Sequence, residues 1–194
     1  MLKEEHGYFY SNLRYLLVIA VVFFVSLVLG VVLSQALSLN ITRELREAYS
    51  PLLEGTTNPL FVMALIFGNN AAKTFAVIIS GAVFGIFPIL FIFLNGFIIG
   101  AVALEASQIR GVTFVLAAIL PHGVVEIPAA LAGGAIGLRI GFESIGWLKG
   151  RGNVRSEMKK GLRLFVTRLL PLLVAAAAIE SFITPLIAGV FANV

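Results

Sequence analysis

Cysteine and aspartate are both absent from the 194 residues. The first absence excludes disulfides, thiolate nucleophiles and cysteine-ligated metal sites, and leaves the redox compartment unread. The second makes every acidic side chain a glutamate. Charge of either sign is scarce: 12% of residues are charged, against about 25% in a soluble domain. That is too little to clothe a water-facing surface. What fills the chain instead is hydrophobic, 59% of it, with a mean hydropathy of +1.02. The solvent this sequence is written for is a lipid bilayer.

Apolar runs predict an all-α, polytopic helical membrane protein in one domain over 1–194, with about five transmembrane passes and some helices interrupted or short. The expected spans are 15–37, 70–87, 88–107, 113–138 and 165–190, each near the 20 residues a crossing helix needs. The first run is too long for a signal-peptide core of roughly 7–15 residues. Ser34-Gln35-Ala36 loosely resembles a cleavage site, but the run reads as a retained anchor. Between the second and third passes two turns compete. Either Gly85 to Pro88 makes the turn, or a helix kinked at Pro88 turns at Asn95-Gly96.

Eight basic residues against two acidic ones give +6 between Arg139 and Arg168, while six basic and eight acidic residues elsewhere give −2. Cytoplasmic loops are rich in Lys and Arg. The 139–164 loop and the N-terminus are therefore expected inside, and the 38–69 loop and the C-terminus outside, in a cell membrane. Beyond the bilayer itself, anionic lipid suits the basic loop. Nucleic acid is not expected, because aromatic interleaving is sparse and no recognition module is present. The outer segment 40–55 has helical apolar spacing at Ile41, Leu45, Ala48, Tyr49 and Leu52. Asn40 suits its N-cap, and Asn40-Ile41-Thr42 is a weak glycosylation sequon. Such a helix would lie on the membrane or meet a membrane or envelope protein partner. Gly81/Gly85, Gly96/Gly100, Gly133/Gly137 and Gly137/Gly141 provide spacing for close helix contact, inside the chain or in a homodimer.

The chemistry concentrates in LPHGVVEIPAA, 120–130. His122 and Glu126 are one helical turn apart and point the same way. Pro121 and Pro128 each remove an N–H, and Gly123 loosens the backbone further, which predicts an interrupted helix facing the bundle interior. His122 is expected roughly 14 Å into its span and Glu180 roughly 15 Å into the antiparallel last one, with Pro185 loosening the helix beside it. His122, Glu126 and Glu180 should thus converge near the midplane. A charge there costs on the order of 2.5–3.5 kcal/mol, so the carboxyls must be neutralised, paired or hydrated. Further out, Lys73 and Glu105 are placed for an ion pair. Asn69 and Asn70 suit helix capping or cavity lining, and Asn95 is a further polar candidate in the membrane.

Four stretches together resemble the stage II sporulation protein M family: FGNN at 67–70, GAVFG at 81–85, LNGFIIG at 94–100 and PHGVVEIPA at 121–129. The resemblance covers most of the chain. The named members of that family act in engulfment during spore formation, as membrane partners that localise peptidoglycan-degrading proteins. Relatives also occur in organisms that neither sporulate nor make peptidoglycan. His122, Gly123, Glu126 and Pro128 match the family motif, for which the family supplies no established chemistry.

Three functions follow as expectations. One is a membrane scaffold that recruits partners, its buried His/Glu site acting as a clasp. Another is a small transporter, channel or lipid-moving protein working through Glu126, Glu180 and His122. The weakest is an intramembrane metalloenzyme, since a catalytic zinc usually takes three protein ligands and the only other histidine is His6. No HExxH, GxSxG, Walker or dinucleotide motif is present. No catalytic residue, cofactor or metal is assigned on sequence.

Overall fold

The computed structural model describes residues 10–39, 41–42 and 58–191, and among these there is helix and no strand. Four helices are long and apolar enough to cross a membrane: α1 (Leu13–Leu37), α2 (Pro59–Ser80), α3 (Ile86–Leu148) and α4 (Val154–Phe191). Two of their starts carry side-chain caps. The Asn58 side chain accepts from the Leu60 amide with Pro59 next to it, and Asn153 accepts from Ser156.

At 63 residues, α3 would be about 95 Å long if straight, some three times a hydrocarbon core of about 30 Å. It folds back at Gly111, where φ is 80° and ψ 158°. The two limbs, 86–110 and 112–148, run antiparallel: Gly134 meets Ile92, Gly137 meets Pro88, and Gly141 meets Gly85. The second limb is the centre of the bundle. On one side Ala129, Ile136 and Ile140 pack with Ile78, Leu164, Phe165, Leu169 and Leu173. On the other, Leu131, Ala135 and Leu138 pack with Tyr15, Ile19, Phe23 and Ile92. A helix covered on several sides needs small residues where backbones approach. A Cβ on Gly137 would come within 2.5 Å of the Val77 carbonyl, and one on Gly100 within 2.1 Å of the Leu27 carbonyl. The remaining glycine pairs also face neighbours inside the chain. Val21, Val28, Val124, Leu186 and Val190 are exposed on the outside, the reverse of a soluble protein and what a lipid surround requires.

The chain turns at 81–85, with Phe84 and Gly85 at positive φ. Pro88 falls in the first turn of α3, where a missing N–H leaves nothing unsatisfied. Asn95-Gly96 is helical, and Gly96 packs on Phe23 and Ser26.

Two expectations change. The break expected at Pro121 and Pro128 does not occur: α3 runs through both, each proline removing one hydrogen bond without unwinding a helix held on several sides. The irregular backbone lies instead at Gly111 and in α4, which holds π-helical turns at Phe165–Leu169 and Ile179–Ile183. Pro171 and Pro185 each stand two residues beyond one of these turns. An inserted residue there relieves the clash of the proline ring with the carbonyl four residues back. The basic 139–164 region is mostly helix, reduced to a 149–153 hairpin in which Gly150 has φ 72°. The outer segment 40–55 lies outside the described residues except for Ile41 and Thr42.

Candidate intramembrane polar site

Three rods bring polar side chains to one level. His122 lies eleven residues after Gly111, Glu180 eleven before Phe191, and Asn70 eleven after Pro59, each about 16 Å from its end of the helix. His122 and Glu126 project from successive turns of the second limb of α3, and Glu180 from the π-helical turn 179–183 of α4. One donor atom from each lies within 4.8 Å of the other two. All three side chains are half-buried.

They border a cavity of about 370 Å³ between α2, both limbs of α3 and α4. Asn69, Asn70 and Lys73 enter it from α2, and Asn95 from the first limb. The charged groups facing Glu126 are Glu180, His122 and Lys73. The His122 Nδ1 lies 3.4 Å from the Thr184 hydroxyl, and the Asn69 amide donates to Asn70 Oδ1 at 3.3 Å. Among the described residues, neither Glu126 nor Glu180 has a hydrogen-bond or ion-pair partner at contact distance. The arrangement is a set of cation-seeking donors around a space rather than a closed knot.

Sequence candidates sort cleanly against this geometry. Asn69 and Asn70 lie inside α2 and line the cavity, so they do not cap its start; Asn58 does. Lys73 and Glu105 part company. Lys73 turns to the cavity, while the carboxylate of Glu105 accepts the amides of Ile41 and Thr42, each at 2.8 Å. Pro121 and Pro128 flank the motif without breaking it, Gly123 opens onto the cavity, and Pro185 follows the turn bearing Glu180. Thr184 was not singled out on sequence, although it stands one turn from Glu180. Nor was Glu157, only 6% exposed, which holds Arg139 at 2.9 Å and Lys160 at 2.7 Å near the basic hairpin.

The fold and site define an all-helical protein of membrane-crossing composition with a polar cavity built around a His-x-x-x-Glu helix. The family model for Stage II sporulation protein M matches residues 19–185, and the chain belongs to that family. An uncharacterized protein of Methanocaldococcus jannaschii is 31% identical over 138 residues, covering 68% of this chain and 75% of its own. No solved structure matches.

Proposed function

We propose that this chain is a multi-pass membrane transport protein in which His122, Glu126 and Glu180 bind a small cation or proton partway across the bilayer. The observation that carries this reading is the contrast between two charged clusters in one molecule. Near the hairpin, Glu157 is drawn into direct contact with Arg139 at 2.9 Å, as a clasp requires. At mid-depth, two carboxylates and an imidazole stand around a cavity without closing on each other. Ionisable groups held open inside a membrane mark substrate or ion pathways. The π-helical turn and Pro185 beside Glu180 supply the irregular helix such sites use.

Five passes are proposed, with the N-terminus and the basic hairpin in the cytoplasm. That arrangement is supported by Arg139 donating to Ser11, which puts the start of α1 at the hairpin end. Anionic lipid at the hairpin, a homodimer and an envelope protein partner are further proposals for the same material.

The test is ion and proton flux into liposomes, comparing wild type with Glu126→Gln and Glu180→Gln after each is shown to fold. Flux lost in well-folded variants supports transport. A wild type that moves neither protons nor metal or alkali cations, with variants that only lose stability, overturns it in favour of a partner-recruiting scaffold.

A further inference from the structure

We infer that His122, Glu126 and Glu180 form a binding site for one divalent transition-metal cation of the Zn²⁺, Mn²⁺, Fe²⁺ or Co²⁺ class. The inference deepens the transport reading, because it names the cation for the same site. Three protein ligands, the number a sequence search for zinc motifs misses here, come from two helices 54 residues apart at their nearest positions, Glu126 and Glu180.

Distance is the first argument. Two metal–ligand bonds of about 2.1 Å span at most about 4.2 Å, and the donor atoms already lie within 4.8 Å. Small torsions in two glutamate side chains close the remainder. Donor type is the second. One imidazole nitrogen with two carboxylate oxygens suits borderline cations, whereas Ca²⁺ and Mg²⁺ favour all-oxygen shells. Orientation is the third. Thr184 stands 3.4 Å from His122 Nδ1, a hydroxyl placed to hold one ring nitrogen while the other serves as ligand, as the second ring nitrogen of a metal-bound histidine is usually held.

Charge balance is the fourth. A divalent cation neutralises two carboxylates, which a half-buried membrane site needs. Lys73 faces Glu126 from α2 and offsets part of the carboxylate charge. The three protein ligands leave coordination positions toward the cavity, where Asn69, Asn70 and Asn95 offer amide oxygens.

The test is titration of the purified full-length chain in detergent with Zn²⁺ against a chromophoric chelator, followed by the visible spectrum with Co²⁺. The expected result is one cation per chain with micromolar or tighter affinity, a Co²⁺ spectrum of nitrogen and oxygen ligation, and no competition from Mg²⁺ or Ca²⁺. His122→Ala, Glu126→Gln and Glu180→Gln each weaken binding roughly tenfold or more, and His6→Ala leaves it unchanged. Should the ligand variants fail to fold, the wild type still decides through stoichiometry, selectivity and Mn²⁺ magnetic resonance coupling to an imidazole nitrogen. Absence of stoichiometric binding overturns the site, as does binding that survives in folded variants or lacks that nitrogen. Metal binding without flux keeps the site and removes transport; carboxylate-dependent flux without metal binding does the reverse.

Discussion

Arg139 Nε lies 2.9 Å from Glu157 Oε2, joining the second limb of α3 to the first turn of α4 across the basic hairpin. Glu157 is 6% exposed, and Lys160 closes on its other oxygen at 2.7 Å with a half-exposed side chain. Removing the buried carboxylate takes an ion partner from both Arg139 and Lys160, whereas removing the half-exposed lysine leaves the Arg139–Glu157 pair intact. Glu157→Ala is expected to lower stability by about 3 kcal/mol, and Lys160→Ala by about 1 kcal/mol or less. Denaturant unfolding in micelles measures both. Equal losses would mean that the buried pair carries no special weight.

Glycines separate into those that hold helices together and those that do not. A Cβ on Gly81 would lie 2.1 Å from the Gly137 carbonyl, and one on Gly137 2.5 Å from the Val77 carbonyl. Backbone cannot yield as a flexible side chain does, so α2 must shift away from α3. Gly137→Ala should destabilise by about 1–3 kcal/mol or more. Gly68, helical within α2, has nothing within 4 Å of its added Cβ. Gly68→Ala should instead stabilise by about 0.5–1 kcal/mol. A thermal midpoint that falls for Gly137→Ala and rises for Gly68→Ala is the expected pattern.

Glu105 fixes the segment after α1 to the first limb of α3 by accepting from the Ile41 and Thr42 amides. Hydrogen bonds to a charged acceptor contribute about 1.5–3 kcal/mol. Glu105→Ala should therefore raise amide exchange at Ile41 and Thr42 by roughly ten- to hundredfold. Cation binding at the proposed His122/Glu126/Glu180 site should be unaffected. Unchanged exchange at these two amides would show that other contacts hold the segment.

Helix content and the convergence of His122, Glu126 and Glu180 were legible because both follow from period and depth. An i, i+4 pair on a helix shares a face, and antiparallel rods of known rise bring equal depths together. Helix starts were less legible. Asn69 and Asn70 suggest a boundary because asparagine caps helices, yet the same residues serve inside α2 when a cavity gives their amides a polar wall. Prolines misled in a related way. Pro121 and Pro128 remove hydrogen bonds that packing on several sides makes affordable, while the deviation appears near Pro171 and Pro185 as π-helical turns. The fold-back at Gly111 carries no proline and only one glycine to announce it. Glu157 escaped notice because a glutamate among lysines and arginines reads as a solvated face.

The last prediction concerns orientation, and the lack of cysteine makes it direct, since any introduced thiol is unique. Ile109 is 77% exposed beside the fold-back at Gly111, and Arg151 is exposed in the 149–153 hairpin. The second limb of α3 separates them, about 55 Å of helix, enough to cross a bilayer and extend beyond it. The basic end is expected inside by its Lys and Arg excess. A membrane-impermeant maleimide should label Ile109→Cys in intact cells and Arg151→Cys only after permeabilisation. The opposite pattern would invert the orientation while keeping the crossing. Labelling of both from one side would mean that the second limb does not cross, and the mid-depth placement of His122 and Glu126 would fall with it.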